Sequence, residues 1–278
     1  VIASPTISIR LNERPVEIAR GLGVQAARRR FAPEADIAIL NGFPTTDDVV
    51  LAEGDAVVFI QRGVVPGPDE LEALLVARHG PHVHERLKRS QVGIAGCGGL
   101  GSTVAVALAR SGVGRLVLVD FDVVEPSNLN RQQYFVDQIG LPKVEALAAN
   151  LTRINPYVTY KRHDLRLGSN DVHRVFAGCD VVAECFDSAA AKAELAMAMR
   201  KHLSNVPLVA ASGLAGFGPA SDIVSRRVLG NHFLVGDGIS AAQPGQGLLA
   251  PRVTVAAGHQ ANIVLRLLLG AISQDQGG

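Results

Sequence analysis

Residues 91–122, QVGIAGCGGLGSTVAVALARSGVGRLVLVDFD, constrain the fold more than any other stretch of this chain. QVGIAG reads as a buried strand, STVAVALARSG as a helix and RLVLVDFD as a second buried strand. A strand–helix–strand unit whose strands are continuously apolar requires a parallel sheet covered on both faces. Between the first strand and the helix lies GCGGLG, in which Gly96, Gly98 and Gly101 fit G-x-G-x-x-G and Gly99 adds a fourth glycine. Such a loop lets backbone N–H groups approach a phosphate at a helix N-terminus. Asp120 follows Gly101 by 19 residues, at the end of the next strand, where a carboxylate can accept from ribose hydroxyls. The pattern points to a nucleotide without choosing between a dinucleotide and ATP.

The choice comes from the next residues, DFDVVEPSNLNRQQYF, running from Asp120 to Phe135. A hydride-transfer enzyme needs a dry nicotinamide slot and has no use for cations after its second strand. Here Arg131 and then Lys143 follow, with the amides of Asn128 and Gln132 beside them. Two cations and two amides suit a triphosphate, whose leaving pyrophosphate gathers negative charge. Asp187 ends the later apolar run VVAECFD and adds a carboxylate at another strand's edge, where Mg²⁺ accompanying a triphosphate would need one.

The alternation continues. KVEALAANLTRIN reads as a helix, CDVVAECFD as a strand, AAAKAELAMAMRKHL as a helix and VPLVAASG as a strand, closed by the apolar helix in RVTVAAGHQANIVLRLLLG. This is the order of a doubly wound, Rossmann-like α/β domain over residues 91–278. The stretch from Gly213 to Pro251 is rich in glycine and proline, long for a loop, and is expected to be functional or to carry irregular strands. Ahead of it, residues 1–64 read as a small β-grasp (ubiquitin-like) domain. TISIRLNERPVEI is a hairpin, VQAARRRF a helix, and DIAILNGFP and DAVVFIQ two further strands. Residues 65–90 read as a helical connector, with one helix from about Glu70 to Arg78, broken by Gly80-Pro81, and a second toward Ser90.

Bulk properties exclude several classes. Lys+Arg 27 against Asp+Glu 26 leaves a net charge of +1, which argues against a nucleic-acid binder driven by bulk charge. Cys97, Cys179 and Cys185 form no C-x-x-C pair, so no zinc is expected and a reducing compartment is. No signal peptide is evident, and IVLRLLLGAI is too short to span a bilayer, so a soluble cytoplasmic protein is expected, with no membrane partner.

Taken in order, GCGGLGSTVAVALARSGVGRLVLVDFDVVEPSNLNRQQYF, GLPKVEAL, INP and FDS resemble the ThiF/MoeB family of adenylyltransferases, which share a fold with ubiquitin-activating enzymes. The likeness covers roughly residues 78–270. Residues 5–63 resemble the sulfur carrier ThiS, with NGFP and EGDAVVFI as its pieces. The resemblance implies that Asp120 binds the ribose and Asp122 flanks the nucleotide. It gives the phosphates to Asn128, Arg131, Gln132 and Lys143, and Mg²⁺ to Asp187. It implies ATP-dependent adenylylation of the C-terminal glycine carboxylate of a separate sulfur carrier protein with a free Gly-Gly end. The product would serve sulfur transfer, in thiamin or related cofactor biosynthesis, with the sulfur donor unidentified. It also implies a homodimer in which an arginine, Arg78 or Arg86, reaches the partner's site.

Three departures stand out. The paired zinc-binding cysteines of many relatives are absent, and no cysteine follows Cys185 to form an acyl disulfide. The carrier-like domain runs on as QRGVVPG, so Gly63 is an internal amide without a carboxylate to activate, and a docking or regulatory role is expected for it. The terminal Gly277-Gly278 reads as a tail, His79, His82 and His84 as no metal site, and Arg28–Arg30 as a solvated helix end. The residues leave open activation of a small-molecule or tRNA-borne carboxylate, a nucleotide-binding scaffold, and an NAD-dependent enzyme.

Overall fold

The structure is a computed structural model describing residues 5–272. The terminal Gly277-Gly278 lies outside the described residues. The chain divides into two compact units, Val1–Pro81 and His82–Gly278.

The first unit is a β-grasp. Strands β1 (Thr6–Leu11) and β2 (Arg14–Ala19) pair antiparallel, and α1 (Val24–Phe31) follows. Then come β3 (Ile37–Leu40), β4 (Phe43–Thr45) and β5 (Ala56–Ile60), giving the order β2-β1-β5-β3-β4 with β1 and β5 parallel at the centre. Alternation places Ile7, Ile9, Val57 and Phe59 on the face covered by Val24 and Ala27 of α1, all buried. One expectation needs correction. DIAILNGFP is two strands rather than one, because Asn41 (φ 51°) and Gly42 (φ 88°) both take the left-handed conformation that closes a two-residue hairpin. Helix α2 (Pro68–His79) belongs to this unit and starts two residues before the expected Glu70, since proline suits a first helical turn. It is fastened to the β1–β2 turn. The Asn12 amide donates to Glu70 Oε1 (3.3 Å), the Arg14 guanidinium to the Asp69 carbonyl (2.6 Å), and Arg78 pairs with Glu13 (3.2 Å).

The second unit is the doubly wound α/β domain. Helix α3 (Pro81–Arg89) leads into β6 (Gln91–Ala95), α4 (Gly99–Arg110), β7 (Arg115–Asp120) and α5 (Lys143–Ile154). Next come β8 (Thr159–Asp164), α6 (Val172–Phe176), β9 (Val181–Glu184), α7 (Ala189–His202) and β10 (Leu208–Ala211). The hairpin β11 (Val224–Leu229) and β12 (His232–Gly236) precedes the long closing helix α8 (Ala250–Leu268). The seven strands lie in the order β11-β12-β10-β9-β6-β7-β8, all parallel except β11. Helices α4, α5 and α8 bury one face with Val92, Ile94, Leu116 and Leu118, while α6 and α7 bury the other with Ala95, Val117, Val119 and Phe176. Gly93 is required there, because a Cβ would stand 2.6 Å from the Phe176 ring. The chain leaves β6 toward β7 on one side and reaches β9 on the other, so the strand order reverses between β6 and β9. Ligands of such sheets sit at the carboxyl ends of the strands beside that reversal.

Candidate nucleotide site

A cavity of about 580 Å³ opens at this edge, lined by Gly96, Gly98 and Gly99 after β6 and by Asp120 and Asp122 after β7. Asp187 after β9 and Ala211–Ala215 after β10 complete its floor. The glycine loop is built by close approach. Gly96 takes φ 93°, and a Cβ on Gly101 would lie 1.8 Å from the Gly96 carbonyl oxygen, so only glycine lets α4 start so near the strand. No side chain caps the start of α4, which leaves its first-turn amides for an anion.

Asp120 is buried, and both of its oxygens already accept from the backbone: Oδ2 from the Cys97 amide (2.6 Å) and Oδ1 from the Asp122 amide (2.8 Å). Burial raises its carboxyl above the usual range, opposed by those two amides. The residue therefore ties the glycine loop to the end of β7 as well as facing the cavity. Asp122 pairs with Lys143 (2.8 Å), whose side chain is 8% exposed at the first position of α5. Arg131 lines the cavity with its stem over Gly99, its guanidinium held by the Ser127 carbonyl (3.2 Å) and Asn130 Oδ1 (2.8 Å). Gln132 is buried against Gly98, and its Oε1 has no hydrogen-bond partner. Asp187 is exposed at the rim, just ahead of Ser188, which caps α7.

Thus Gly96, Gly98, Gly99, Asp120, Asp122, Arg131, Gln132, Lys143 and Asp187 meet in one cavity. Asn128 is not among its lining residues. It is buried in the turn that follows β7, where its Oδ1 accepts from the Glu125 amide (3.1 Å) and shapes the loop carrying Arg131. Gly101 acts from behind, through its packing on Gly96. Of the two arginines considered for a partner's site, Arg78 is ion-paired within the first unit. Arg86 in the second donates Nε to the Leu268 carbonyl (2.8 Å), a favourable cation at the C-terminus of α8.

Sequence reasoning missed the layer beneath. Glu184 is 1% exposed and binds Lys192 through both oxygens (2.9 and 3.0 Å), and Lys192 also donates to the Ala211 carbonyl. Burial pushes the Glu184 carboxyl up against the pull of Lys192. Gln260 of α8 is fully buried and donates to the Glu184 and Val209 carbonyls (3.0 and 3.1 Å), locking β9 to β10. The spacing Glu184–Lys192 across the start of a helix was the one available signal. At the mouth, Arg166 stacks over Phe121 (5.6 Å), and both line the cavity. All three thiols are buried, and burial pushes Cys97 and Cys185 well up and Cys179 to about 11, so none is an ionised nucleophile near neutrality. Among the described residues no group of three or more His, Cys, Asp or Glu side chains is placed to hold a metal, and no helix is long and apolar enough to cross a membrane.

A glycine loop and a cation-lined cavity at the reversal of a mostly parallel sheet define a nucleotide-binding α/β domain, here preceded by a β-grasp unit. The chain belongs to the ThiF family, whose profile matches residues 71–277, and the ThiS-like ubiquitin profile matches residues 7–63. It is similar to the SAMP-activating enzyme E1 of Haloferax volcanii, 44% identical over 110 residues, covering 39% of this chain and 41% of that protein. The molybdopterin-synthase adenylyltransferase of Salmonella typhimurium is 37% identical over 131 residues, covering 47% of this chain and 52% of its own. The aligned part thus spans about half or less of these curated relatives. Among solved structures, E. coli tRNA N6-threonylcarbamoyladenosine dehydratase in complex with AMP superposes with a TM-score of 0.67 at 21% identity, over 75% of this chain and 99% of that one. At that identity the likeness is one of fold.

Proposed function

We propose that this protein is an ATP-dependent adenylyltransferase that activates the C-terminal glycine carboxylate of a ubiquitin-like sulfur carrier protein, for sulfur transfer in thiamin or related cofactor biosynthesis. The observation that carries the reading is the meeting of an uncapped helix start, Arg131, Lys143 and Gln132 in one cavity with Asp187 at its rim. That set fits a triphosphate; a dinucleotide site would share the helix start, and the cations Arg131 and Lys143 favour the triphosphate. The names of the relatives, one an activating enzyme and one an adenylyltransferase, and the ThiS-like front unit support it.

The glycine-loop amides and Gln132 would bind the phosphates, and Asp120 the ribose. The carrier's carboxylate oxygen attacks the α-phosphorus, the bond to the bridging oxygen breaks, and pyrophosphate leaves with the charge that Arg131 and Lys143 offset. Mg²⁺, if held by Asp187 together with the phosphates, would supply further neutralisation of that charge. Domain roles follow: residues 1–64 for docking or regulation, 65–90 as connector and 91–278 for chemistry. Three buried thiols and no disulfide among the described residues support a cytoplasmic setting. The exposed apolar side chains of the second unit, Phe217 and Ile239 among them, support a homodimer, which sedimentation at micromolar concentration would reveal.

The decisive experiment is ATP–pyrophosphate exchange with purified β-grasp carriers ending in Gly-Gly. Exchange dependent on such a carrier and on Mg²⁺ is expected. Exchange supported by tRNA alone, or tight NAD binding without ATP binding by calorimetry, would replace the reading.

A further inference from the structure

Arg252 is placed against the rule for helices. It is the third residue of α8, 6% exposed, and a cation in a first turn faces the positive end of the helix dipole. Burial adds a desolvation cost that only good partners offset. Its partners are not in the helix. Nη1 donates to the carbonyls of Gly218 (2.7 Å) and Pro219 (2.8 Å), and Nη2 to Asp237 Oδ2 (2.6 Å). These contacts gather two distant stretches of the irregular chain.

Asp237 is the other half of the clamp. Its second oxygen, Oδ1, accepts from the amides of Ile239 and Ser240, both at 2.8 Å, and so turns the chain as it leaves β12. Gly213 makes room for it, since a Cβ there would lie 1.9 Å from Oδ1. From this turn residues 238–249 run back to α8 as a strap without helix or strand, tipped by a tight turn in which Gln243 and Gln246 exchange backbone hydrogen bonds. Ser240, Ala241, Ala242 and Leu248 face the nucleotide cavity. Its far end is fastened by the Gly216 amide on the Gly247 carbonyl (2.9 Å) and the Asn130 amide on the Leu248 carbonyl (3.3 Å). Residues 241–247 between the two ends are exposed.

The strap begins after β12, three strand spacings from β6, or roughly 14 Å at ordinary sheet geometry. Its first half therefore walls the side of the cavity away from the glycine loop and Asp120. With the phosphates cradled at β6 and β7, what remains for the strap is the substrate that brings the carboxylate. The side chains that the first half of the strap presents there, Ser240, Ala241 and Ala242, are small, which suits an extended, glycine-ended chain.

We propose that Arg252 is a positioning residue. Through Asp237 and the Gly218–Pro219 carbonyls it holds strap 238–249 as the acceptor-side wall of the cavity, setting the affinity for the carrier's tail and leaving that for the nucleotide unchanged. This rests on the adenylyltransferase reading for the identity of the tail, but the clamp itself does not.

Three variants test it: Arg252→Ala, Arg252→Lys, which keeps the charge but not the planar fork, and Asp237→Asn, which keeps Oδ1 for the two amides. Hydrogen exchange of the whole protein is read at the strap amides, ATP affinity by calorimetry, and KM for a purified Gly-Gly-ended carrier by pyrophosphate exchange. The expectation is ~10-fold faster exchange confined to 238–249 and a ~10-fold higher carrier KM at unchanged ATP affinity, with Arg252→Lys intermediate. Unchanged strap exchange in Asp237→Asn, or loss of ATP affinity equal to the loss of carrier affinity, would overturn the proposal. A wild-type enzyme indifferent to every carrier would strike the proposed function instead, and hydrogen exchange would still decide the clamp.

Discussion

Arg131 and Lys143 reach the same cavity under different restraint. Arg131 is held by neutral oxygens, whereas Lys143 is buried and tied to Asp122. Each is expected to lower pyrophosphate exchange by ~10²-fold on substitution by alanine, as removal of one preorganised donor does. Near-normal exchange in both would remove them from the phosphates. Asp237 gives a prediction in pH. Burial alone would raise its carboxyl, but the Ser240 and Ile239 amides and the Arg252 guanidinium outweigh it and hold the group well below the ordinary carboxylate range. A depressed carboxyl adds stability that is complete above the unfolded value of about 3.9 and is lost as pH falls through the folded one. The stability difference between wild type and Asp237→Asn, from urea unfolding, should therefore be largest at neutral pH and shrink below about pH 4. A difference that grew with acid would contradict the assignment.

At the scale of elements, the β1–β2 turn is the least expected piece of the first unit. Asn12 (φ 45°) and Glu13 (φ 65°) both stand in the left-handed region, which costs a side-chain-bearing residue roughly 1–2 kcal/mol. Asn12 repays this by accepting from the Phe59 amide and donating to Glu70, while Glu13 offers a pair with Arg78, whose side chain is 77% exposed. With its arginine end in solvent, such a pair contributes little. Glu13→Gly is therefore expected to be neutral or to stabilise the protein by up to about 1 kcal/mol, read from thermal unfolding. A marked loss would mean that the ion pair matters more than the strain.

The same comparison shows which elements the sequence makes legible. Glycine spacing exposes the β6–α4 turn, because close backbone approach forbids other residues there, and runs such as RLVLVD announce doubly covered strands. Strand β8, TYKRHD, passes unread. It is an edge strand with no fully buried residue, so it lacks an apolar signature. Nor does β4 separate from β3 unless Asn41-Gly42 is taken as a turn. The direct wall of the site is legible for the same reason as the loop, since Arg131, Lys143 and Asp187 sit at strand ends. Its supports are not. Arg252 meets Asp237 across 15 residues and Gly218 across 34, and no local spacing encodes such a contact.

For the whole molecule, the two units raise the question of what the β-grasp contributes. Its last strand ends at Ile60, the Arg62 amide is bound by Asp36 Oδ2 (2.8 Å), and Gly63 continues as a peptide into α2, which is itself fastened to Asn12 and Arg14. Deleting residues 1–64 is expected to leave ATP binding intact by calorimetry, with any change confined to affinity for a separate carrier. Incubated alone with Mg-ATP, the full chain should keep its mass. Stoichiometric pyrophosphate with a mass change at the Gly63 junction would make the fused unit a substrate.

Strand β6 lies inside its sheet and pairs with β7 nearby but with β9 some 90 residues later, and β12 joins later still. On a ribosome the β-grasp can close once α2 has emerged, while the outer half of the large sheet waits until β12 at Gly236. At ~5–20 residues per second that is a delay of roughly 8–30 s. During it the growing edge of the sheet, β6 first and then β9 and β10, stands unpaired in turn, the kind of exposed edge that chaperones bind and that aggregates when they are scarce.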